Sequence, residues 1–128
     1  MIDHRHARRI KLLQKLFART FIPASNLQGN LNQSVNKPEL ELEPNTLDQI
    51  MAQLPEIDEL IAGAAPERPI KDMNKLDLAV LRLIVFESRM KKTPIKVLIN
   101  EAVELAKEFG SDSSPRLVNG VLGTIFEL

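Results

Sequence analysis

The hydrophobic positions near the N-terminus recur every three or four residues, which is the spacing of one face of an α-helix. This pattern predicts a first helix from about Asp3 to Thr20, with an apolar arc formed by Ile10, Leu13, Leu16, Phe17 and Thr20. A neighbouring arc, interrupted only by Leu12, holds the cations Arg5, Arg8, Arg9, Lys11, Lys15 and Arg19. We therefore expect the apolar arc to dock on the rest of the protein and the cationic arc to face outward.

The same periodicity returns after residue 44 and predicts further helices. One helix, capped by Asn45 or Thr46, should continue to about residue 64, and Pro55 should kink or split it because proline has no amide hydrogen. Residues 70–74 are expected to form a short helical turn. Leu76–Ser88 is apolar on every side, which is typical of a helix surrounded by other helices, with a buried strand as the alternative.

Two more helices are predicted from the residues at their ends. The Thr93–Pro94 pair suits a helix start, and Gly110 suits a left-handed residue that ends the same helix. Ser114–Pro115 should start the last helix in the same way. Gly120 and Gly123 are costly inside a helix, which points to a close crossing with another helix. Together these segments predict an all-α bundle.

Residues 21–44 interrupt this pattern, because they are rich in Asn, Gln, Ser and Pro with only isolated apolar residues. We expect a long, irregular connection there. The length of 128 residues suits a single domain. The predicted organisation is a basic N-terminal helix in 1–20, the connection in 21–44 and a helical core in 45–128.

The composition removes several classes of function. The chain has no cysteine, so a disulfide framework and a thiolate metal site are excluded, and no metal or cofactor site is expected. No apolar run approaches the length of a membrane span, and the N-terminus lacks the features of a signal peptide, so we expect a cytoplasmic protein. No arrangement of a nucleophile and a base indicates an enzyme.

The net charge of zero conceals two oppositely charged segments. Residues 1–20 hold six Arg and Lys residues against one Asp, whereas residues 37–67 hold eight Asp and Glu residues against one Lys. Such polarity favours charged partners at both ends of the molecule.

The second half of the chain resembles the NusB family of transcription antitermination factors. The resemblance rests on "MNKLDLAVLRL" (Met73–Leu83), "TPIKVLINEAVELAKEFG" (Thr93–Gly110) and "SSPRLVNGVL" (Ser113–Leu122), in that order and spacing. The segment "RHARRIKLLQKLF" resembles the arginine-rich first helix of the family. The resemblance implies two packed three-helix subdomains, here shortened or irregular in the N-terminal half. It also implies an RNA-binding factor that binds single-stranded boxA RNA with the ribosomal protein NusE and acts on RNA polymerase.

Two groups of residues are candidates for RNA contact. The residue pattern selects the six cations of the first helix, and the resemblance adds His6 and Phe17 to them. It further implies contacts at the start of the last helix, through Asp112, Ser113, Ser114, Arg116 and Leu117. The alternatives are a solvated helix face for the cations, a core position for Phe17 and helix capping for Ser113 and Ser114.

Other conspicuous residues are expected to be structural. Arg82 lies within the most apolar helix and needs a partner, for which we predict Glu101. Asn100 borders the apolar stripe of the same segment as Glu101, and Asn119 and Gly120 belong to the last helix. Two further functions stay open, which are a protein–protein adaptor without an RNA role and a detached RNA-binding module of an rRNA cytosine methyltransferase. Self-association is also left open by the sequence.

Overall fold

The computed structural model describes residues 4–20 and 46–127, and all regular structure within these residues is helical. Six α-helices and one 3₁₀ turn follow in order: α1 His4–Arg19, α2 Thr46–Ala52, α3 Leu54–Ala64, the turn Ile70–Asp72, α4 Lys75–Met90, α5 Ile95–Phe109 and α6 Ser114–Ile125. The predicted all-α fold is confirmed. The irregular connection predicted for 21–44 and the cap predicted at Asn45 lie outside the described residues.

Helix α4 occupies the centre of the bundle and contacts α1, α2, α3, α5 and α6. Its segment 78–86 is buried except for Arg82, which is partly exposed. Asn74 caps its start, because the Asn74 Oδ1 atom accepts hydrogen bonds from the amides of Leu76 (2.9 Å) and Asp77 (3.1 Å). The helix that is apolar on every side is therefore the one surrounded by the others, as its sequence predicted.

Proline divides the α2–α3 segment as predicted. Helix α2 ends at Ala52 and α3 begins at Leu54, so that Pro55 lies in the first turn of α3. A proline is tolerated there because the first amides of a helix have no intrahelical acceptor. Both halves still bury isoleucine side chains against the core, at Ile50, Ile57 and Ile61.

An ion pair joins α3 to α4. Arg82 donates two hydrogen bonds to the carboxylate of Asp58, from Nε to Oδ1 at 2.9 Å and from Nη2 to Oδ2 at 2.8 Å. The predicted Arg82–Glu101 pair is therefore wrong. Arg82 lies on the side of α4 that meets α3, whereas Glu101 of α5 contacts α1.

The turn between α5 and α6 depends on a close contact rather than on a left-handed residue. Gly110 has φ −97° and ψ −169°, an ordinary extended conformation, so the predicted left-handed cap is wrong. A Cβ atom at position 110 would lie 2.5 Å from Ser114 Oγ and 2.7 Å from the carbonyl oxygen of Ala106. Glycine is needed here because a buried serine occupies the space beside it.

The predicted helix caps also differ from the structure. Helix α5 begins at Ile95 with Pro94 as its N-cap, and Ser113 makes no side-chain capping bond at the start of α6. Ser114 faces backward instead, and its Oγ accepts a hydrogen bond from the Ser111 amide at 2.9 Å. The start predicted for α6 from Ser114 and Pro115 is therefore correct. The serine side chain, however, binds the preceding turn instead of capping α6.

The outward face of α6 is open. A Cβ atom at Gly120 or Gly123 would meet nothing within 4 Å, so the close helix crossing predicted there is wrong. Asn119 on α6 and Asn100 on α5 are exposed as well, so neither holds a buried position between helices. Among residues 4–20 and 46–127, no helix is long and apolar enough to cross a membrane.

Candidate nucleic-acid interface

Helix α1 presents three strips of side chains, each running along the helix at spacings of three or four residues. The buried strip holds Arg9, Leu12, Leu13 and Leu16 and packs on the core. The second strip carries His6, Ile10 and Phe17, and His6 contacts α5. The third, which we call the cationic strip, consists of Arg8, Lys11, Lys15 and Arg19.

Arg9 belongs to the buried strip although the sequence assigned it to the outward cationic arc. Its side chain is 6% exposed, and it donates two hydrogen bonds to Glu87 of α4, from Nε at 2.7 Å and from Nη2 at 3.0 Å. Its Nη1 atom also lies 3.8 Å from Glu101 Oε1. The expectation that Arg9 faces outward is wrong, because burial of Leu12 and Leu16 also turns position 9 inward.

His6 is held by two carboxylates of α5. Its Nδ1 atom contacts Glu101, and its Nε2 atom lies 3.3 Å from Glu108 Oε1. The hydrogen bond with Glu101, followed by the contact with Glu108, raises the pKa of His6 above its ordinary value, although burial opposes this shift. Both ring nitrogens are thus engaged within the protein, and RNA contact by His6 stays a prediction.

The cationic strip lies at the surface. Arg8 is exposed, and Lys11, Lys15 and Arg19 are partly exposed. Arg8 and Arg19 form no ion pair with another residue of the described segments. Arg5, one turn from Arg9 at the start of α1, is also exposed. These are five of the six cations that the sequence placed on one arc.

A groove of about 350 Å³ opens between the first turns of α1 and the C-terminal end of α4. We call it the N-terminal groove, and the residues that define it here are Arg5, Arg8, Phe86, Met90, Lys92 and Thr93. Met90 is 41% exposed. The sequence had singled out only the two arginines, because the importance of Met90 and Lys92 depends on the packing of α1 against α4.

A second groove, of about 330 Å³, lies at the other end of α1. We call it the aromatic groove, and it is lined by Phe17, Lys75, Phe109, Gly110 and Ser111 among others. Phe17 packs partly on the core, whereas Phe109 is 40% exposed at the end of α5. Phe109 is the last residue of α5, and its exposure follows from this position at the helix end.

The predicted contacts at the start of α6 lie next to the aromatic groove in sequence. Asp112, Ser113 and Arg116 are exposed, and Leu117 is partly buried against the core. Ser114 is fully buried and belongs to the turn described above. The structure therefore brings Phe17 of α1 beside residues 110 and 111, just before the predicted α6 contacts, while the cationic strip follows a different side of α1.

These features define an all-helical protein with a surface-exposed basic strip on its first helix. The model of the NusB family matches residues 6–127, and the chain belongs to that family. The transcription antitermination protein NusB of Chloroflexus aggregans is 58% identical over 72 residues, which cover 54% of this chain and 48% of that protein. The chain spans about half the length of the curated relatives it matches.

Two solved structures share this fold. T. maritima NusB matches with a TM-score of 0.78 and 26% sequence identity, over 99% of this chain and 93% of that chain. A chain in the crystal structure of a plectonemic RNA supercoil matches with a TM-score of 0.74 over 98% of this chain and 96% of that chain. With 22% sequence identity, this match shows a shared fold alone.

Proposed function

We propose that this protein is an RNA-binding transcription antitermination factor. It binds boxA-like single-stranded RNA together with the ribosomal protein NusE and supports transcription of ribosomal RNA by RNA polymerase. The observation that carries this proposal is the cationic strip on the first helix of a chain whose residues 6–127 match the NusB family.

The strip suits a single-stranded polyanion. Lys and Arg side chains that contact phosphates release condensed counterions, which makes binding depend on salt concentration. With roughly 0.7 per contact for a single strand, the four cations of the strip predict a slope of about −3 for log K against log salt. Arg9 is not included in this number, because its guanidinium is occupied by Glu87.

The aromatic groove supplies a surface for bases. Sequence-specific recognition of single-stranded RNA commonly stacks bases on aromatic side chains and reads their edges through hydrogen bonds. Phe17 and Phe109 both line this groove, Lys75 adds a cation, and Ser111 adds a hydroxyl group. This arrangement supports a role in RNA binding for Phe17 and for the turn that precedes α6.

An acidic surface favours association with a basic ribosomal protein. Glu56 and Glu59 are exposed on α3, beside Leu60, which is 45% exposed. Opposite charges accelerate association and favour the correct orientation of two proteins. We therefore propose that this acidic surface, formed by Glu56 and Glu59, steers NusE toward this chain.

The test is a titration of fluorescent boxA-like RNA at two salt concentrations, with and without NusE. The variant Arg8→Ala/Lys15→Ala/Arg19→Ala removes three cations of the strip and retains the buried Arg9. It should lower the salt slope by about 2 relative to the unchanged protein. The control Arg68→Ala/Lys96→Ala/Lys107→Ala removes the same charge from exposed positions outside α1.

The control should keep the salt slope of the unchanged protein. If the strip variant and the control variant bind RNA equally, the proposed contact surface is wrong.

A protein–protein adaptor without an RNA role is the second candidate. The observation that favours it is the pairing of His6 with Glu101 and of Arg9 with Glu87, because His6 and Arg9 are both among the predicted RNA contacts. An adaptor would bind NusE normally in the strip variant and would bind boxA-like RNA no better than an unrelated RNA. The same titration repeated with an unrelated RNA, and a direct titration of the strip variant with NusE, measure these two quantities.

A further inference from the structure

We infer that the N-terminal groove holds one base of the bound RNA strand. This inference rests on the proposed function and extends it to Met90, Lys92 and Thr93, which neither the residue pattern nor the family resemblance selected as RNA contacts. The groove opens beside Arg8, the first residue of the cationic strip, so a strand that follows the strip reaches it directly.

The rim of the groove is cationic. Arg8 of α1 and Lys92 of the α4–α5 turn are both exposed and line the same opening, together with Arg5. Cations on two separate elements place positive charge on either side of the opening, which favours the phosphates that flank an inserted nucleotide. A metal cation would not suit this rim, because the rim is itself positively charged.

The wall of the groove is apolar. Met90 is 41% exposed, and the largely buried Leu12 and Phe86 lie beside it. The flexible, polarisable side chain of methionine makes favourable contacts with aromatic rings. Every base has an apolar face that can pack on such a surface regardless of its identity. The volume of about 350 Å³ lies at the lower end of small-molecule sites, a size that suits a single nucleotide rather than a folded segment.

Hydrogen-bonding groups complete the site. The hydroxyls of Thr46 and Thr93 and the carboxylate of Glu87 line the groove and can meet the edge of a base. Arg9 fixes the orientation of that carboxylate through two hydrogen bonds. Each carboxylate oxygen keeps a further acceptor site, so Glu87 favours a base that carries an amino group.

The α4–α5 turn brings its residues into this position. Lys91 ends α4 in a left-handed conformation, with φ 57° and ψ 29°, and its amide donates a hydrogen bond to the Ser88 carbonyl. A left-handed residue reverses the chain direction at a helix end. Lys92 and Thr93 therefore fold back toward α1 instead of continuing away from it.

A nucleic acid fits this surface better than an acidic peptide. The cationic strip runs from Arg8 to Arg19, a length of about 16 Å at the helical rise per residue. Charge extended over such a length matches the regularly spaced phosphates of a strand. A peptide held in the groove alone would use Arg5, Arg8 and Lys92 and leave the rest of the strip unused.

A scan of abasic RNA tests this inference on the full chain. Each position of a boxA-like RNA is replaced in turn by an abasic nucleotide, and binding is measured for the unchanged protein and for Met90→Ser. In the unchanged protein, one abasic position should weaken binding by about tenfold. Met90→Ser should weaken binding of the parent RNA similarly and remove the effect of that abasic position.

Val97→Ser is the matched control, because Val97 is an exposed apolar residue on α5 that is 47% exposed and lies outside the groove. It should leave the abasic profile unchanged. Lys92→Ala should lower the salt slope, whereas Lys96→Ala should not. Circular dichroism confirms that each variant is folded.

Three outcomes overturn the inference. If no abasic position loses its effect in Met90→Ser while the strip variant still weakens binding, the base does not occupy this groove and the proposed function stands. If the unchanged protein binds boxA-like RNA no better than an unrelated RNA, the proposed function fails along with the inference. If an alternating Glu–Tyr peptide binds more tightly than the RNA and is lost in Met90→Ser, the groove takes an acidic peptide.

Discussion

Helix α1 and the α5–α6 turn are attached to the bundle by different forces. The buried strip of α1 combines leucines with an arginine, and that arginine and His6 meet the carboxylates of Glu87 and Glu101. The α5–α6 turn instead uses small side chains, where Gly110 leaves room for Ser114. The attachment of α1 therefore depends on charge and on pH, whereas that of the turn depends on shape.

Because charge attaches α1 to the bundle, its cations do not all have the same role. A single arc of cations in the sequence becomes two groups in the structure, one that anchors the helix and one that faces solvent. Within the second group, replacing Arg8 or Arg19 should cost little stability, because neither forms an ion pair with another residue of the described segments. The two groups can be separated experimentally, because they occupy different positions along the same helix.

Arg9→Ala should produce the largest effect, with a loss of about 3 kcal/mol in the free energy of unfolding. The variant leaves the carboxylates of Glu87 and Glu101 without their buried cation. Urea unfolding followed by circular dichroism measures the loss, and Arg8→Ala is the matched control, with an expected change within about 0.5 kcal/mol. Equal effects of the two variants would mean that Arg9 does not anchor α1.

Gly110→Ala should have the next largest effect, a loss of about 2 kcal/mol. The new methyl group would press on Ser114 and on the Ala106 carbonyl oxygen, which belongs to the backbone of α5 and cannot rotate away. The same unfolding experiment measures it. A neutral result would show that the turn has room that the structure does not indicate.

Gly120→Ala tests the open face of α6 and should have the opposite sign. A methyl group there meets nothing within 4 Å, so the gain in helix propensity should stabilise the protein by about 0.5–1 kcal/mol. Thermal unfolding of the isolated protein measures the gain. A loss of stability would indicate that this face of α6 is covered in the free protein.

The smallest expected effect is a pH dependence through His6. Its pKa is raised in the folded protein by Glu101 and Glu108, with Arg9 beside Glu101 as the neighbouring cation. The stabilisation is fully present below the unfolded pKa of about 6.5 and is lost as the pH rises through the higher folded value.

Urea midpoints at about pH 5.5 and about pH 8.5 should therefore differ more for the unchanged protein than for His6→Gln. His4→Gln is the control for the loss of a histidine near the N-terminus, and it should keep the pH dependence of the unchanged protein. An NMR titration of His6 gives its folded pKa directly. An identical pH dependence in His6→Gln would contradict a stabilising role for this side chain.

The helices were predictable because each depends mainly on local pattern. The apolar circumference of α4 and the proline between α2 and α3 specify their environment within a few residues of sequence. The roles of helix-cap residues and glycines were less predictable, because the same residue type can make different contacts in different surroundings. The sequence predicts a left-handed cap at Gly110 and a close crossing at Gly120, yet Gly110 is extended beside a buried serine and Gly120 faces solvent.

The candidate surface was only partly predictable for a related reason. Periodicity identified the cations of α1. The helix is oriented about its axis so that Leu12 and Leu16 are buried, and Arg9 faces inward with them. The partners Glu87 and Asp58 come from other helices, so their pairing follows from tertiary packing. Met90 and Phe109 are similar cases, because their exposure at helix ends has no local signal.

The contact between Gly110 and Ser114 makes these two positions interdependent in evolution. The volume beside the α5–α6 turn accommodates one small side chain, and here position 114 fills it. A relative that carries alanine at position 110 should carry glycine at position 114 and a shifted end of α5, because the Ala106 carbonyl oxygen also lies 2.7 Å from the new Cβ atom.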